Sequence, residues 1–138
     1  AKGTAAVPLA EALWPGLGQM AAIGALLGHL WPVWLRFRGG KGVATLFGIM
    51  VGLHWPSALV YAGVWLGMLG VTRYSSVAGM TAALAAPVAA AALGRFDLAL
   101  LYLGFALLVF WKHRDNLDRL LAGIEPRVGR KTDQAPNA

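Results

Sequence analysis

The stretch RFRGGKGVAT (residues 36–45) places three cations and three glycines between two strongly apolar parts of the chain. Hydrophobic residues make up 58% of the 138 residues, and charged residues only 13%. Soluble domains carry about 25% charged residues. The composition therefore predicts a single integral membrane domain built as an all-α, polytopic transmembrane helix bundle. In such a bundle the basic, glycine-rich stretch is a loop at the membrane surface that connects two apolar helices.

Apolar stretches and turn residues divide the chain into six predicted segments. These segments are residues 3–14, 17–35, 43–53, 57–72, 77–93 and 98–111. The second segment is predicted to span the membrane by itself, whereas the first and third are short for a span. The sequence HWP (residues 54–56) is predicted to turn the chain between the third and fourth segments.

The boundaries of the membrane domain follow from the change in composition near the carboxyl terminus. One integral membrane domain is predicted over residues 1–125. The polar tail, residues 126–138, ends in KTDQAPNA and is predicted to be disordered.

The distribution of charge predicts the orientation of the bundle. The net charge of +6 arises from 12 Lys and Arg against 6 Asp and Glu. If every segment crosses the membrane, all cations except Arg95 fall on one face, which the positive-inside rule makes cytoplasmic. These cations are Lys2, Arg36, Arg38, Lys41, Arg73, Lys112, Arg114, Arg119, Arg127, Arg130 and Lys131. Because they flank apolar segments and form no aromatic-interleaved patch, the sequence argues against a nucleic-acid partner.

The glycine loop has the features of a phosphate-binding site. Gly39, Gly40 and Gly42 allow positive φ angles and a close approach of backbone N–H groups to an anion. Lys41 adds a point charge, and Thr45 adds a hydroxyl in the first turn of the next helix, whose amino terminus favours anions. The spacing is not that of a Walker A loop. The alternative, a basic loop that only fixes topology, remains open.

Two more polar clusters fall on the same predicted face. In TRYSS (residues 72–76), Ser75 and Ser76 either cap the next helix or bind polar oxygens. In KHRDNLDRLLAGIE (residues 112–125), His113 and Asn116 are three apart and share one face of a helix. That helix carries an apolar stripe, which predicts that it lies on the membrane surface or packs against the bundle.

The histidines differ in their predicted roles. His113 is a candidate base, a candidate hydrogen-bond donor to phosphate, or a residue of the membrane interface. His29 and His54 lie beside Trp-Pro pairs and are predicted to have structural roles at helix ends. Cysteine is absent, which excludes disulfides and thiolate sites, and no catalytic triad or metal-ligand spacing stands out.

Taken in order, GHLWPVWLRFRGGKGVAT, TRYSS and HRDNLDRLLAGIE resemble conserved segments of the bacterial membrane glycerol-3-phosphate acyltransferases that use acyl phosphate as donor. The resemblance implies a seven-span enzyme of phospholipid biosynthesis in the inner membrane, with its active site facing the cytoplasm. It implies acyl transfer from acyl phosphate to the 1-hydroxyl of glycerol-3-phosphate, giving lysophosphatidic acid and phosphate. No cofactor or metal is implied, and membrane lipids are the expected surroundings.

The resemblance also implies roles for particular residues. Those that match the family's phosphate loop are Gly39, Gly40, Lys41, Gly42 and Thr45. Ser75 and Ser76 match its polar serines, and Glu125 matches the end of the last motif. His113 and Asn116, with Lys41, are the implied catalytic residues.

The chain departs from the family pattern at its amino terminus. The family's first span and its GSGNPGATN-like first motif are not present in these residues, so six of seven expected segments are predicted. A different class of function also fits the polar clusters. The alternative is a small non-enzymatic membrane protein that binds or conducts phosphate or another anion, and it is distinguished by its failure to consume acyl phosphate.

Overall fold

The computed structural model describes residues 2–36 and 39–130. Within these residues the chain forms only helices, turns and loops. The helices are α1 (Lys2–Leu13), α2 (Gly18–Leu30), α3 (Val43–Thr72), α4 (Ser75–Ala92), α5 (Phe96–Lys112) and α6 (Arg114–Leu121), and a short 3₁₀ turn covers Val33–Leu35. The all-α fold class predicted from the composition is confirmed.

Helix α3 is a hairpin of two helical halves. A straight helix of its 30 residues would be about 45 Å long. However, the Tyr61 hydroxyl donates a hydrogen bond to the Val43 carbonyl at 3.0 Å, and the rings of Phe47 and Tyr61 lie 6.2 Å apart between centroids. The chain reverses at His54, where φ is −160° and ψ is 87°, just before Pro56. The turn predicted at residues 54–56 is therefore confirmed, and the third and fourth predicted segments are the two halves of this hairpin.

The prediction that residues 17–35 span the membrane alone is wrong. Helix α2 ends at Leu30, so its 13 residues are about 20 Å long and fall short of a hydrocarbon core of about 30 Å. The reason is Pro32, which disfavours helical geometry at Trp31. One backbone carbonyl at the end of α2, that of Leu30, accepts a hydrogen bond from the Lys112 ammonium of α5 at 2.9 Å.

Helices α3 and α4 are long and apolar enough to cross a membrane. Helices α5 and α6, which meet at a 56° bend, make a third candidate if they are taken together as one broken span. Because α3 folds back at His54, its 30 residues do not form one continuous span. The half before His54 has 11 residues and is about 16 Å long. The bundle thus combines long helices with helices that are shorter than a hydrocarbon core of about 30 Å.

Small residues let α4 pack closely between α3 and α5. Ala82, Ala83, Ala86 and Ala90 of α4 are completely buried. Small side chains allow helix backbones to approach closely in lipid, where packing rather than the hydrophobic effect drives association. The 18 residues of α4 extend about 27 Å from Ser75, which places the following turn at the opposite end of the bundle.

At that opposite end, two acidic side chains form hydrogen bonds and an ion pair. The carboxylate of Glu11 accepts hydrogen bonds from the Gly16 and Gly18 N–H groups at 3.0 and 2.8 Å, and so satisfies donors at the start of α2. Arg95 forms an ion pair with Asp97 at 2.9 Å. The cation predicted to be separate from the others, Arg95, therefore lies far from the glycine loop.

Candidate functional site

A cavity of about 910 Å³ opens where the three polar clusters of the sequence meet. Its polar lining comprises His29, Lys41, Gly42, Ser75, Ser76, His113, Asn116, Arg119, Glu125 and Arg127. Its apolar lining includes Phe47, Tyr61, Ala62, Trp65 and Leu66 of α3. The cavity can therefore hold a molecule, or a pair of molecules, with a charged end and an apolar end.

Three predicted site residues, Gly39, Gly40 and Thr45, are not among those that line the cavity. Gly39 packs against the backbone carbonyls of His29 and Leu30, and Gly40 packs against the His29 ring. A Cβ at either position would collide with these atoms, so the glycines bring the loop close to the end of α2. Their contact with phosphate, like that of Thr45, remains a prediction. Arg38 lies outside the described residues.

Gly42 and Lys41 reach the cavity from the loop. Gly42 has a φ of +84°, a left-handed conformation that glycine adopts without strain, and it immediately precedes the first turn of α3. The first N–H groups of a helix lack partners within that helix and favour an anion. Lys41 is exposed beside them. This part of the loop has the geometry that the sequence predicts for phosphate binding.

His113 occupies the bend between α5 and α6 and is 2% exposed. Its Nδ1 lies 2.7 Å from the Val109 carbonyl, which only accepts hydrogen bonds, so Nδ1 carries the proton. Burial and the charge of Lys41 lower the pKa of His113, and this effect outweighs the opposing influence of Val109 and Glu125. The ring is therefore neutral near pH 7, and its Nε2 has a lone pair that can accept a hydrogen bond or a proton.

Gly79 of α4 makes room for this arrangement. A Cβ at Gly79 would lie 2.8 Å from a methyl carbon of Val43 and 3.7 Å from Nε2 of His113. The absence of a side chain lets Val43 at the start of α3 approach α4, while the His113 ring lies at an ordinary contact distance from the same position.

Glu125 is the centre of a buried hydrogen-bond network. Its carboxylate accepts bonds from the Ser76 hydroxyl and the Asn116 amide, each at 2.6 Å, and from Arg119 Nε at 2.7 Å. Burial raises the pKa of Glu125, but these donors lower it by more, so the pKa lies below its ordinary value. Asn116 Oδ1 is buried and has no hydrogen-bond partner among the described residues. The network joins α4, α6 and the segment that follows α6.

The structure thus brings together seven of the ten predicted site residues and adds several that the sequence reasoning missed. Arg119 follows Asn116 by three positions, and that spacing on a helix was an available signal. Tyr61 and Trp65 are four apart on α3, but this aromatic pair resembles ordinary helix packing. His29, predicted to be structural, both lines the cavity and packs against Gly40. No local pattern distinguishes Arg127.

The comparison with protein families agrees with the geometry. The family model described as glycerol-3-phosphate acyltransferase matches residues 1–123. A curated glycerol-3-phosphate acyltransferase of Mesorhizobium japonicum is 49% identical over 94% of this chain and 67% of its own length. One from Rhodopseudomonas palustris (strain BisB5) is 48% identical over the same shares of both chains. The chain spans about two thirds of the length of these relatives.

The fold also matches solved structures. Crystal structures of PlsY (YgiH), an integral membrane glycerol 3-phosphate acyltransferase, have been determined in a glycerol 3-phosphate form and in a lysophosphatidic acid form. Both align with a TM-score of 0.86 and 31% sequence identity, covering 92% of this chain and 66% or 67% of theirs. The family model, the curated relatives and these structures agree over the same region. The chain therefore belongs to the glycerol-3-phosphate acyltransferase family.

Proposed function

We propose that the full-length protein transfers an acyl group from acyl phosphate to the 1-hydroxyl of glycerol-3-phosphate. The products are lysophosphatidic acid and inorganic phosphate. The observation that carries this proposal is the mixed lining of the cavity, whose polar residues suit phosphate groups and whose apolar residues from α3 suit an acyl chain. The names of the related proteins and the two ligand forms of PlsY support the acceptor and the product.

The proposed reaction needs positioned charges more than a protein nucleophile. The glycerol-3-phosphate hydroxyl attacks the acyl carbonyl carbon, the bond from that carbon to the phosphate oxygen breaks, and phosphate leaves with the electron pair. The hydroxyl loses its proton in the same process, and the neutral Nε2 of His113 is suited to accept it. Lys41 and the start of α3 stabilise charge on a phosphate group. The Ser76 hydroxyl donates to Glu125, and the hydrogen-bond donors around this carboxylate lower the pKa of Glu125, so Glu125 is a weak base for activating a serine nucleophile.

Lys41 gives a direct test of phosphate binding by the loop. Replacing Lys41 with Gln removes the cation but keeps a side chain of similar length, and we expect kcat/KM to fall by about tenfold or more because a charge-assisted hydrogen bond is worth about 1.5–3 kcal/mol. The measurement is steady-state acyl transfer by the purified full-length variant. Arg36→Gln is the matched control, since Arg36 is exposed in the same loop and does not line the cavity. Unchanged kinetics for Lys41→Gln would remove Lys41 from the site.

We further propose that the cavity faces the cytoplasm and that the protein is in the inner membrane. The cations near the cavity outnumber those at the opposite end, where Arg95 is paired with Asp97. Cysteines placed at the exposed positions Ser75 and Arg130 should react with an impermeant thiol reagent only after the inner membrane is opened. Labelling of either position in intact spheroplasts would contradict this orientation.

A further inference from the structure

The residues that follow α6 cross one side of the cavity as a strap. We use the name C-terminal strap for residues 122–130. The Val128 N–H donates to the Arg73 carbonyl at 2.7 Å, which fastens the strap to the turn between α3 and α4. Pro126, Arg127 and Val128 line the cavity from this side. Part of the segment predicted to be a disordered tail, residues 126–128, thus contributes to the cavity wall, while residues 131–138 lie outside the described residues.

The strap presents the guanidinium of Arg127 in a fixed orientation. Arg127 Nε donates to the Tyr74 hydroxyl at 3.0 Å, and the guanidinium carbon lies 5.0 Å from the centroid of the Tyr74 ring. These two contacts use one of the five N–H donors of the guanidinium and one of its faces. Among residues 2–36 and 39–130, neither Nη group of Arg127 has a hydrogen-bond or ion-pair partner. The outer fork of the side chain remains available to a ligand.

The charges around the cavity are unequally compensated. Arg119 is neutralised by its ion pair with Glu125 at 2.7 Å. Within the described part of the chain, neither Lys41 nor Arg127 has a carboxylate at ion-pair distance. Lys41 enters from the glycine loop and Arg127 from the C-terminal strap, so two uncompensated cations reach the cavity from different elements.

Two separate cations match a reaction whose two substrates each carry one phosphate group. We infer that Arg127 binds the phosphate group of one of these substrates, at a position separate from that of Lys41. A planar guanidinium suits this role because its paired N–H groups match two phosphate oxygens. The inference rests on the proposed function for the identity of the substrates. Tyr74 then acts as a positioning residue that holds the guanidinium toward the cavity.

The test is a comparison of two arginine variants of the full-length enzyme. Arg127→Gln keeps a donor for Tyr74 but removes the charge and the fork, and we expect it to raise the KM of one substrate by about 10- to 100-fold with a smaller effect on kcat. Arg127→Lys should recover only part of the loss. Arg130→Gln removes the same charge from an exposed position of the same strap outside the cavity and should leave both KM values unchanged.

Measuring KM separately for glycerol-3-phosphate and for acyl phosphate identifies which phosphate group Arg127 binds. A rise for either one, absent in Arg130→Gln, confirms the inference. Unchanged KM values in a monodisperse Arg127→Gln protein, with wild-type turnover intact, would overturn it and leave the proposed function standing. If the wild-type protein shows no acyl transfer, titration with inorganic phosphate by calorimetry decides instead. Equal phosphate affinity of wild type and Arg127→Gln would then overturn the inference.

Discussion

Replacing His113 with Ala is expected to lower turnover by about 100-fold or more, the scale of a lost acid–base group, while the protein still purifies as a monodisperse species. The ring is buried in the cavity wall, and its Nδ1–H donates a hydrogen bond to the Val109 carbonyl. Only Nε2 is therefore left to accept a proton. The measurement is acyl transfer from acyl phosphate by the purified full-length variant in detergent. The same substitution at His54, which hydrogen-bonds Ser57 at the α3 turn outside the cavity, should retain turnover.

The pH dependence of acyl transfer provides a second test of His113, because a purely structural role of this residue would not affect it. Its pKa lies below the ordinary histidine value of about 6.5, so the ring stays neutral and able to accept a proton down to that pH. We expect wild-type kcat/KM, which reports ionisation of the free enzyme, to fall only at pH values below about 6.5, as the ring becomes protonated. This acidic limb should be absent from the residual activity of His113→Ala. Near-normal turnover of a well-folded His113→Ala protein would exclude the role.

Replacing Glu125 with Ala is expected to reduce the free energy of unfolding by roughly 2–4 kcal/mol. The substitution leaves the buried donors of Ser76 and Asn116 without their acceptor and removes the ion-pair partner of Arg119. Because the network joins α4 to α6, activity should also fall. The measurement is thermal or denaturant unfolding of the purified protein in detergent. Asp115→Ala is the control, since Asp115 lies on the neighbouring helix α6 with 72% of its side chain exposed and should change stability little.

The stabilisation by Glu125 should depend on pH in a defined direction. Its pKa is lower in the folded protein than the unfolded value of about 4.3, so the unfolded state binds the proton more readily. The contribution is therefore fully present above about pH 4.3 and is lost as the pH falls through the lower folded pKa. We expect the stability difference between wild type and Glu125→Gln to shrink over that range. A difference that stays constant down to pH 3 would contradict this.

The helical segments were predictable because their signals are local. The turn at residues 54–56 follows from the Trp-Pro pair, and the α4–α5 turn follows from Gly94 beside charged residues. Helix α2 was predicted too long because residues 31–35 are as apolar as the helix before them, and only Pro32 marks its end. Apolarity measures preference for lipid, and it does not by itself measure the length of a helix.

The polar clusters that form the candidate site were predictable from the sequence, but the hydrogen bonds that connect these clusters were not. Lys41, His113 and Asn116 were found because they lie in polar stretches within an apolar chain. The role of Glu125 was not found, because its bond to Ser76 joins residues 49 positions apart. The same reason hid Arg127, whose orientation depends on Tyr74, 53 positions earlier. Gly39 and Gly40 pack against the end of α2, a contact that no local pattern indicates, and their contact with phosphate stays a prediction.

Identifying which acyl donor the protein consumes is the most direct test of the proposed function. The purified full-length protein should be incubated with labelled glycerol-3-phosphate and either a long-chain acyl phosphate or the matching acyl-CoA. We expect acyl phosphate to give lysophosphatidic acid and inorganic phosphate in a one-to-one ratio, and acyl-CoA to give no product. Formation of lysophosphatidic acid from acyl-CoA alone would contradict the proposed donor. Binding of phosphate without consumption of either donor would contradict the enzyme and favour a membrane anion-binding protein.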